Sequence, residues 1–215
     1  IQTFSQQHRV FVILIGMEAL DRQACELISQ GLGGVPLFVA DKFNMYELVS
    51  ILRQCHLLLS SRYHGVVTSM PAGVASAGVT MDERLRNLMR ERGHSDLLVE
   101  ADDPDLEPKL EILLSQLLSQ SEEISSSLGG TVVRNLKAMA RMGIYLQQQV
   151  VECYPEFPMR SGHLSWEDYL PTLSQNLIKL VKTFEHQSST STVRNHAAVK
   201  HRSTSQVETS RSVGQ

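Results

Sequence analysis

Over its first hundred residues the chain alternates short apolar runs with stretches of helical spacing, and that alternation confines it to repeated βαβ units around a parallel sheet. Val10-Phe11-Val12-Ile13-Leu14-Ile15 is continuous, apolar and β-branched, as expected of a strand covered on both faces, and Gly16 ends it. Asp21 is placed to cap a helix through Ser29, on which Ala24, Leu27 and Ile28 form an inward stripe. Val35 to Val39 predicts a second strand. Asn44 then caps a helix whose Leu48, Ile51, Leu52 and Cys55 share one face, and Leu57 to Ser60 predicts a third strand. A short helical segment from His64 to Met70 stops at Pro71, and Gly73 to Thr80 predicts a fourth strand of small residues. Asp82 opens the next helix, with Leu85, Leu88 and Met89 inward and Gly93 just past its end. Leu97 to Val99 predicts a short fifth strand.

From Leu106 the pattern is helical only. Leu106, Leu110, Leu113, Leu114, Leu117 and Leu118 repeat at helical spacing, and a long helix is predicted from Leu128 to Cys153. After the turn Tyr154-Pro155-Glu156-Phe157-Pro158, a last helix is predicted from Trp166 to Phe184, with His163 and Trp166 in packing roles. Beyond His186 the chain is rich in Ser and Thr and poor in large apolar residues, so it cannot bury enough surface to offset chain entropy. The expected organisation is an α/β domain over residues 1–120, a helical extension over 121–186 and a disordered tail over 187–215.

Composition narrows the functional classes. With 20 Lys+Arg against 23 Asp+Glu and a net charge of -3, the chain as a whole has no basic footprint for nucleic acid or an anionic membrane, so any anion site must be built locally. Arg134, Lys137 and Arg141 make a positive helix face, more ordinarily turned to solvent or an acidic neighbour than to nucleic acid. Cys25, Cys55 and Cys153 have neither metal-ligand spacing nor the density of a disulfide scaffold, which favours a reducing, cytoplasmic setting. No apolar run is long enough to span a bilayer, and the opening Ile1-Gln2-Thr3 has no leader-like pattern. The start at Ile1, almost directly before an apolar run, is read as that of a fragment. No Walker loop, GxGxxG or GxSxG is present.

In an open parallel sheet, ligands bind where the carboxyl ends of strands meet helix N-termini. Four loops qualify: Gly16 to Asp21, Asp41 to Asn44, Ser61 to His64 and Thr80 to Arg84. The third carries the most chemistry. Arg62 offers a permanently charged fork for carboxylate or phosphate, and His64 can donate to an anion or transfer a proton near neutral pH. Ser61 adds a hydroxyl, and Gly65 a backbone that a ligand can approach closely. The plainer alternative makes Arg62 a surface ion-pair partner and His64 a satisfied helix-terminal histidine. In the fourth loop Asp82 is read first as a cap, while Arg84 either reaches the same crevice or lies on a solvated face. Glu18 and Asp21 are candidates for a hydroxyl contact or general base, with loop capping the simpler role. Asp41 and Lys42 read first as a charged turn, with Lys42 the more interesting of the two if the ligand is anionic.

Taken as one unit, Cys55 to Gly93 resembles the C-terminal half of the polysaccharide pyruvyl transferase family. The resemblance rests on Arg62-x-His64 at a strand end, the helix after it, and Met70-Pro71-Ala72-Gly73-Val74 near the position of a Gly-Val-Pro-like turn. Where relatives carry an acidic residue and then Lys, this chain has Asp82-Glu83-Arg84. The resemblance spans Val10 to Gln120. It implies a Rossmann-like domain similar to the C-terminal domain of a GT-B fold, with a second, N-terminal domain facing it. The implied reaction moves a pyruvyl group from phosphoenolpyruvate to two sugar hydroxyls as a cyclic ketal, releasing phosphate, in bacterial cell-surface polysaccharide synthesis. Phosphoenolpyruvate is then the donor, a saccharide the acceptor, and no cofactor or metal is implied. His64 is assigned as the catalytic proton donor, and Arg62, Ser61, Gly65 and Arg84 as donor-binding residues. Two other readings stay open: a GT-B-like glycosyltransferase using a nucleotide-sugar, and a non-catalytic interaction domain.

Overall fold

The computed structural model describes residues 1–158 and 164–185, so the Ser/Thr-rich tail over 187–215 and His163 lie outside the described residues. The chain divides into two compact units, Ile1–Val132 and Val133–Gln215.

The first unit is mixed α/β, with five short strands that are parallel wherever they pair. Helix α1 (Gln2–His8) buries Phe4 and ends at Arg9 in a left-handed conformation. Strand β1 (Leu14–Gly16) pairs in parallel with β2 (Leu37–Val39), Ile15 opposite Phe38, and helix α2 (Arg22–Gly31) joins them. Helix α3 (Met45–Leu52) leads to β3 (Leu57–Ser60), which pairs with β4 (Ala75–Thr80). That strand in turn pairs with β5 (Leu98–Glu100), giving the order β3-β4-β5. Helices α4 (Tyr63–Ser69) and α5 (Glu83–Glu91) form the two crossovers. The expected parallel pairing is present, divided between a two-stranded and a three-stranded ladder. Met17, Leu48 and Leu52 form a core against Ile15, Phe38 and Leu58, so α3 packs on residues of both ladders.

Side-chain size explains how β4 sits at the centre. Its residues are almost entirely buried and small, and a Cβ on Gly78 would stand 2.6 Å from Leu98 Cδ1 and 3.2 Å from Leu85 Cδ2. Glycine there lets α5 and β5 close on the strand. Helix α6 (Leu106–Ser119) packs on β4 and β5, burying Leu113, Leu114 and Leu117. Helix α7 (Ser121–Cys153) starts a turn and more before the expected Leu128, and within the first unit it buries Ile124, Leu128, Thr131 and Val132. Behind α5, Arg92 is only 5% exposed and donates to Ser76 Oγ at 2.7 Å, while His94 Nε2 lies 3.2 Å from Ser127 Oγ.

Three local expectations are corrected. The apolar run from Val10 pairs only from Leu14 onward, and Phe11 is 81% exposed: α1 precedes the run, and among the described residues no strand lies beside Val10 to Ile13 to accept their backbone groups. Helix α2 buries Cys25, leaving Leu27 63% exposed and Ile28 exposed as well, because it turns the adjacent face to β1 and β2. The helix expected from Trp166 is broken. A single 3₁₀ turn (Trp166–Tyr169) precedes Pro171, Leu170 is extended at φ -110°, ψ 157°, and the α-helix resumes over 175–185. The ring of Pro171 excludes the α conformation for the residue before it.

The second unit contains the rest of α7, that turn and the helix over 175–185. Val133, Ala140 and Val181 are buried, and Tyr169 packs on Gly143. Lys137 Nζ lies 3.0 Å from Glu185 Oε1 and 5.3 Å from the centroid of the half-buried Trp166 ring. Among the described residues, no helix is long and apolar enough to cross a membrane.

Candidate functional site

Two short hydroxyl-braced turns shape the ends of β3 and β4. After β3, Ser60 Oγ accepts the Arg62 N–H at 3.0 Å and donates to the Arg62 carbonyl at 3.1 Å. That holds Arg62 in an extended conformation (φ -105°, ψ 124°) at the mouth of α4. Gly65 is buried beneath this turn, where a Cβ would meet Ser60 Oγ at 2.8 Å, and its N–H donates to the Arg62 carbonyl. Gly65 therefore supports the corner without lining it. After β4, Thr80 Oγ1 accepts the Asp82 N–H at 2.7 Å, and Asp82 caps α5 by accepting the Arg84 N–H at 2.8 Å. The capping role expected for Asp82 is thus present.

Arginines then tie the loops together. Arg62 donates to Asp21 and reaches Glu18 Oε1 at 3.4 Å, which links the ends of β3 and β1. Asp21 also accepts the Glu18 N–H at 3.1 Å, so the carboxylate braces its own turn as well. The Arg84 guanidinium binds Asp82 through Nη2 at 2.6 Å and lies 5.9 Å from the centroid of the Tyr63 ring, joining the loops after β3 and β4. These contacts frame a cleft of about 630 Å³ lined by Met17, Glu18, Met45, Ser61, Arg62, Tyr63, His64, Val79, Met81, Asp82, Arg84 and Ala101. Three of the four loops singled out in the sequence meet here. In the remaining one, Asp41 pairs with Arg22, and neither Asp41 nor Lys42 lines the cleft.

Of the five predicted site residues, Ser61, Arg62, His64 and Arg84 line the cleft. His64 is exposed, its imidazole set edge-on to Tyr63 at 5.5 Å and making no hydrogen bond to another described residue. That ring is free to meet a ligand. Arg62 and Arg84 both stand beside carboxylates: the bond that Arg62 donates to Asp21 holds its guanidinium charged, and Arg84 pulls the Asp82 carboxyl below its ordinary range. An arriving anion must therefore exchange places with Asp21 and Glu18, or with Asp82. Tyr63, Met17, Met45 and Met81 were given no role in the sequence reading. Tyr63 was legible as the middle residue of the Arg-x-His tripeptide, whereas the methionines have no spacing that marks them. Among the described residues no cluster of His, Cys, Asp or Glu could hold a metal ion. Comparison with family models, curated proteins and solved structures finds no match to the chain.

Proposed function

We propose that the cleft binds phosphoenolpyruvate and that the first unit is the donor-binding part of a pyruvyl transferase acting on sugar hydroxyls. The observation that supports it is the meeting of Arg62, His64, Ser61 and Arg84 in one cleft at the carboxyl ends of parallel strands. Phosphoenolpyruvate carries phosphate and carboxylate close together, so it asks for two cations and a proton source at one place. Arg62 and Arg84 supply the cations, one anionic group of the donor taking each guanidinium from its carboxylate. Protonated His64 gives a proton to the methylene carbon while a sugar hydroxyl attacks C2, with its own proton passing to Glu18. A second hydroxyl then displaces phosphate from C2, its proton leaving with the phosphate, and the cyclic ketal results. In this reading the Rossmann-like domain is of the GT-B type, and a facing domain carries the acceptor.

The competing donor is a nucleotide-sugar, because the Tyr63 ring and the Met17, Met45 and Met81 side chains offer surfaces on which a base can stack. Calorimetric titration of the chain with each ligand separates the two. Phosphoenolpyruvate binding that is lost in Arg62→Ala and kept in His64→Ala is the expected result. Preference for a nucleotide-sugar, or an Arg62→Ala variant that binds phosphoenolpyruvate unchanged, overturns the proposal.

A further inference from the structure

Tyr63 is the first residue of α4 and follows the turn in which Ser60 Oγ holds both the N–H and the carbonyl of Arg62. Just beyond it Gly65 and Val66 are buried. The backbone that carries the Tyr63 ring is therefore fixed on both sides, while the ring itself stands part-exposed in the cleft wall. Two groups of the cleft meet that ring. The Arg84 guanidinium carbon lies over it at 5.9 Å from its centroid, and the His64 imidazole lies at 5.5 Å with an interplanar angle of 77°. Both belong to exposed side chains that are otherwise lightly held. Among the described residues the Arg84 guanidinium is hydrogen-bonded to Asp82 alone, and the His64 imidazole has no other ring contact, hydrogen bond or ion pair.

We infer that Tyr63 is the positioning residue of this cleft, its ring setting the second cation and the proton source at a fixed spacing. The inference rests on phosphoenolpyruvate as the donor. In that exchange an anionic group of the donor takes Arg84 from Asp82. The carboxylate and the donor's oxygens compete for the same N–H groups, whereas attraction to the face of a ring needs none of them, so the contact with Tyr63 outlasts the exchange. The spacing matters because phosphate, carboxylate and methylene all radiate from C2 of the donor. A cation that holds one of them and an acid that protonates another must keep their distance, and misplacement by about 1 Å can cost on the order of a hundredfold in rate. Tyr63 exerts its effect through Arg84 and His64.

Two readouts on the 215-residue chain test this. The first needs no ligand. The Tyr63 ring current shifts the imidazole C–H proton resonances of His64, which are assigned by their disappearance in His64→Gln. Those resonances should hold their positions in Tyr63→Phe and move to those of a free histidine in Tyr63→Leu. The second is calorimetry with phosphoenolpyruvate. Tyr63→Phe should bind as the parent does, and Tyr63→Leu about two- to fivefold more weakly, the worth of an exposed cation–π contact. In an Arg84→Ala background Tyr63→Leu should cost nothing further, whereas a ring that merely supports α4 would weaken binding equally with or without Arg84. Unchanged far-ultraviolet circular dichroism verifies the fold of each variant. His64 resonances that stay in place in Tyr63→Leu overturn the proposal, as does an undiminished loss in the Arg84→Ala background. A parent chain that binds no phosphoenolpyruvate yet shows the expected resonance shifts overturns the donor assignment alone, and the placement of His64 by Tyr63 stands.

Discussion

Arg62 leaves β3 with its guanidinium already held by Asp21 and Glu18, so its affinity for a ligand is a difference between two sets of charged hydrogen bonds. Replacing Asp21 by Asn keeps an oxygen for the Glu18 N–H and removes the charge that competes. Phosphoenolpyruvate affinity should then rise by about two- to tenfold, roughly the 0.4 to 1.4 kcal/mol of a weak, part-buried ion pair. Calorimetry checks it, and a fall in affinity would count against competition for Arg62. A second residue-scale prediction concerns His94, whose imidazole is pushed below its ordinary value, first by burial and then by the nearby Arg92, with Asp96 and Glu123 opposing. Below an ordinary pKa of about 6.5 the unfolded chain takes up a proton that the folded chain does not. Stability should therefore fall as pH drops through about 6.5 and level off below the folded pKa. Thermal midpoints between neutral pH and about pH 5 should show a shallower decline in His94→Gln than in the parent.

At the level of elements, what was legible depended on how local the cause was. Strand β3 coincides with its predicted span, and Asn44 and Asp82 cap their helices, because a cap or a bounded apolar run is decided by a few adjacent residues. The Asn44 cap is a full box: Oδ1 accepts from Tyr46 and Glu47 N–H groups, and Glu47 Oε2 accepts from Asn44 N–H at 2.8 Å. Asn44→Ala should cost about 1 kcal/mol in denaturant unfolding. Gly78→Ala should cost more, roughly 1–3 kcal/mol, since the new methyl needs both Leu98 and Leu85 to move. A cost below that of Asn44→Ala would mean that α5 is not seated on β4 as described. Less was legible where distant segments decide. The periodicity of α2 was visible, but which side it buries depends on β1 and β2, so Cys25 and not Leu27 lies inside. Likewise the strand-end rule located the cleft, whereas the pairing of Arg62 with Asp21 joins residues far apart in sequence that no motif links. Pro171 was a local signal, and its effect on Leu170 was open to reading from the residues alone.

Across the molecule, buried side chains are distributed unevenly along α7. Ile124, Leu128, Thr131, Val132 and Val133 are buried in close succession, and after them only Ala140 among the described helix residues. Amide hydrogen exchange should therefore show strong protection up to about Val133 and a steep decline beyond Ala140, because helices hold their hydrogen bonds mainly through packing. Uniform protection to Cys153 would refute that gradient. The continuity of α7 has a separate consequence for modularity. The boundary between the units falls inside a helix, where there is no loop to cut, lengthen or splice. A chain ended at Val132 would leave its last turn of carbonyls without partners, and one begun at Val133 would do the same to N–H groups. Truncation, recombination and domain exchange are tolerated best at exposed loops. These two units are thus constrained to be inherited, expressed and engineered as one piece.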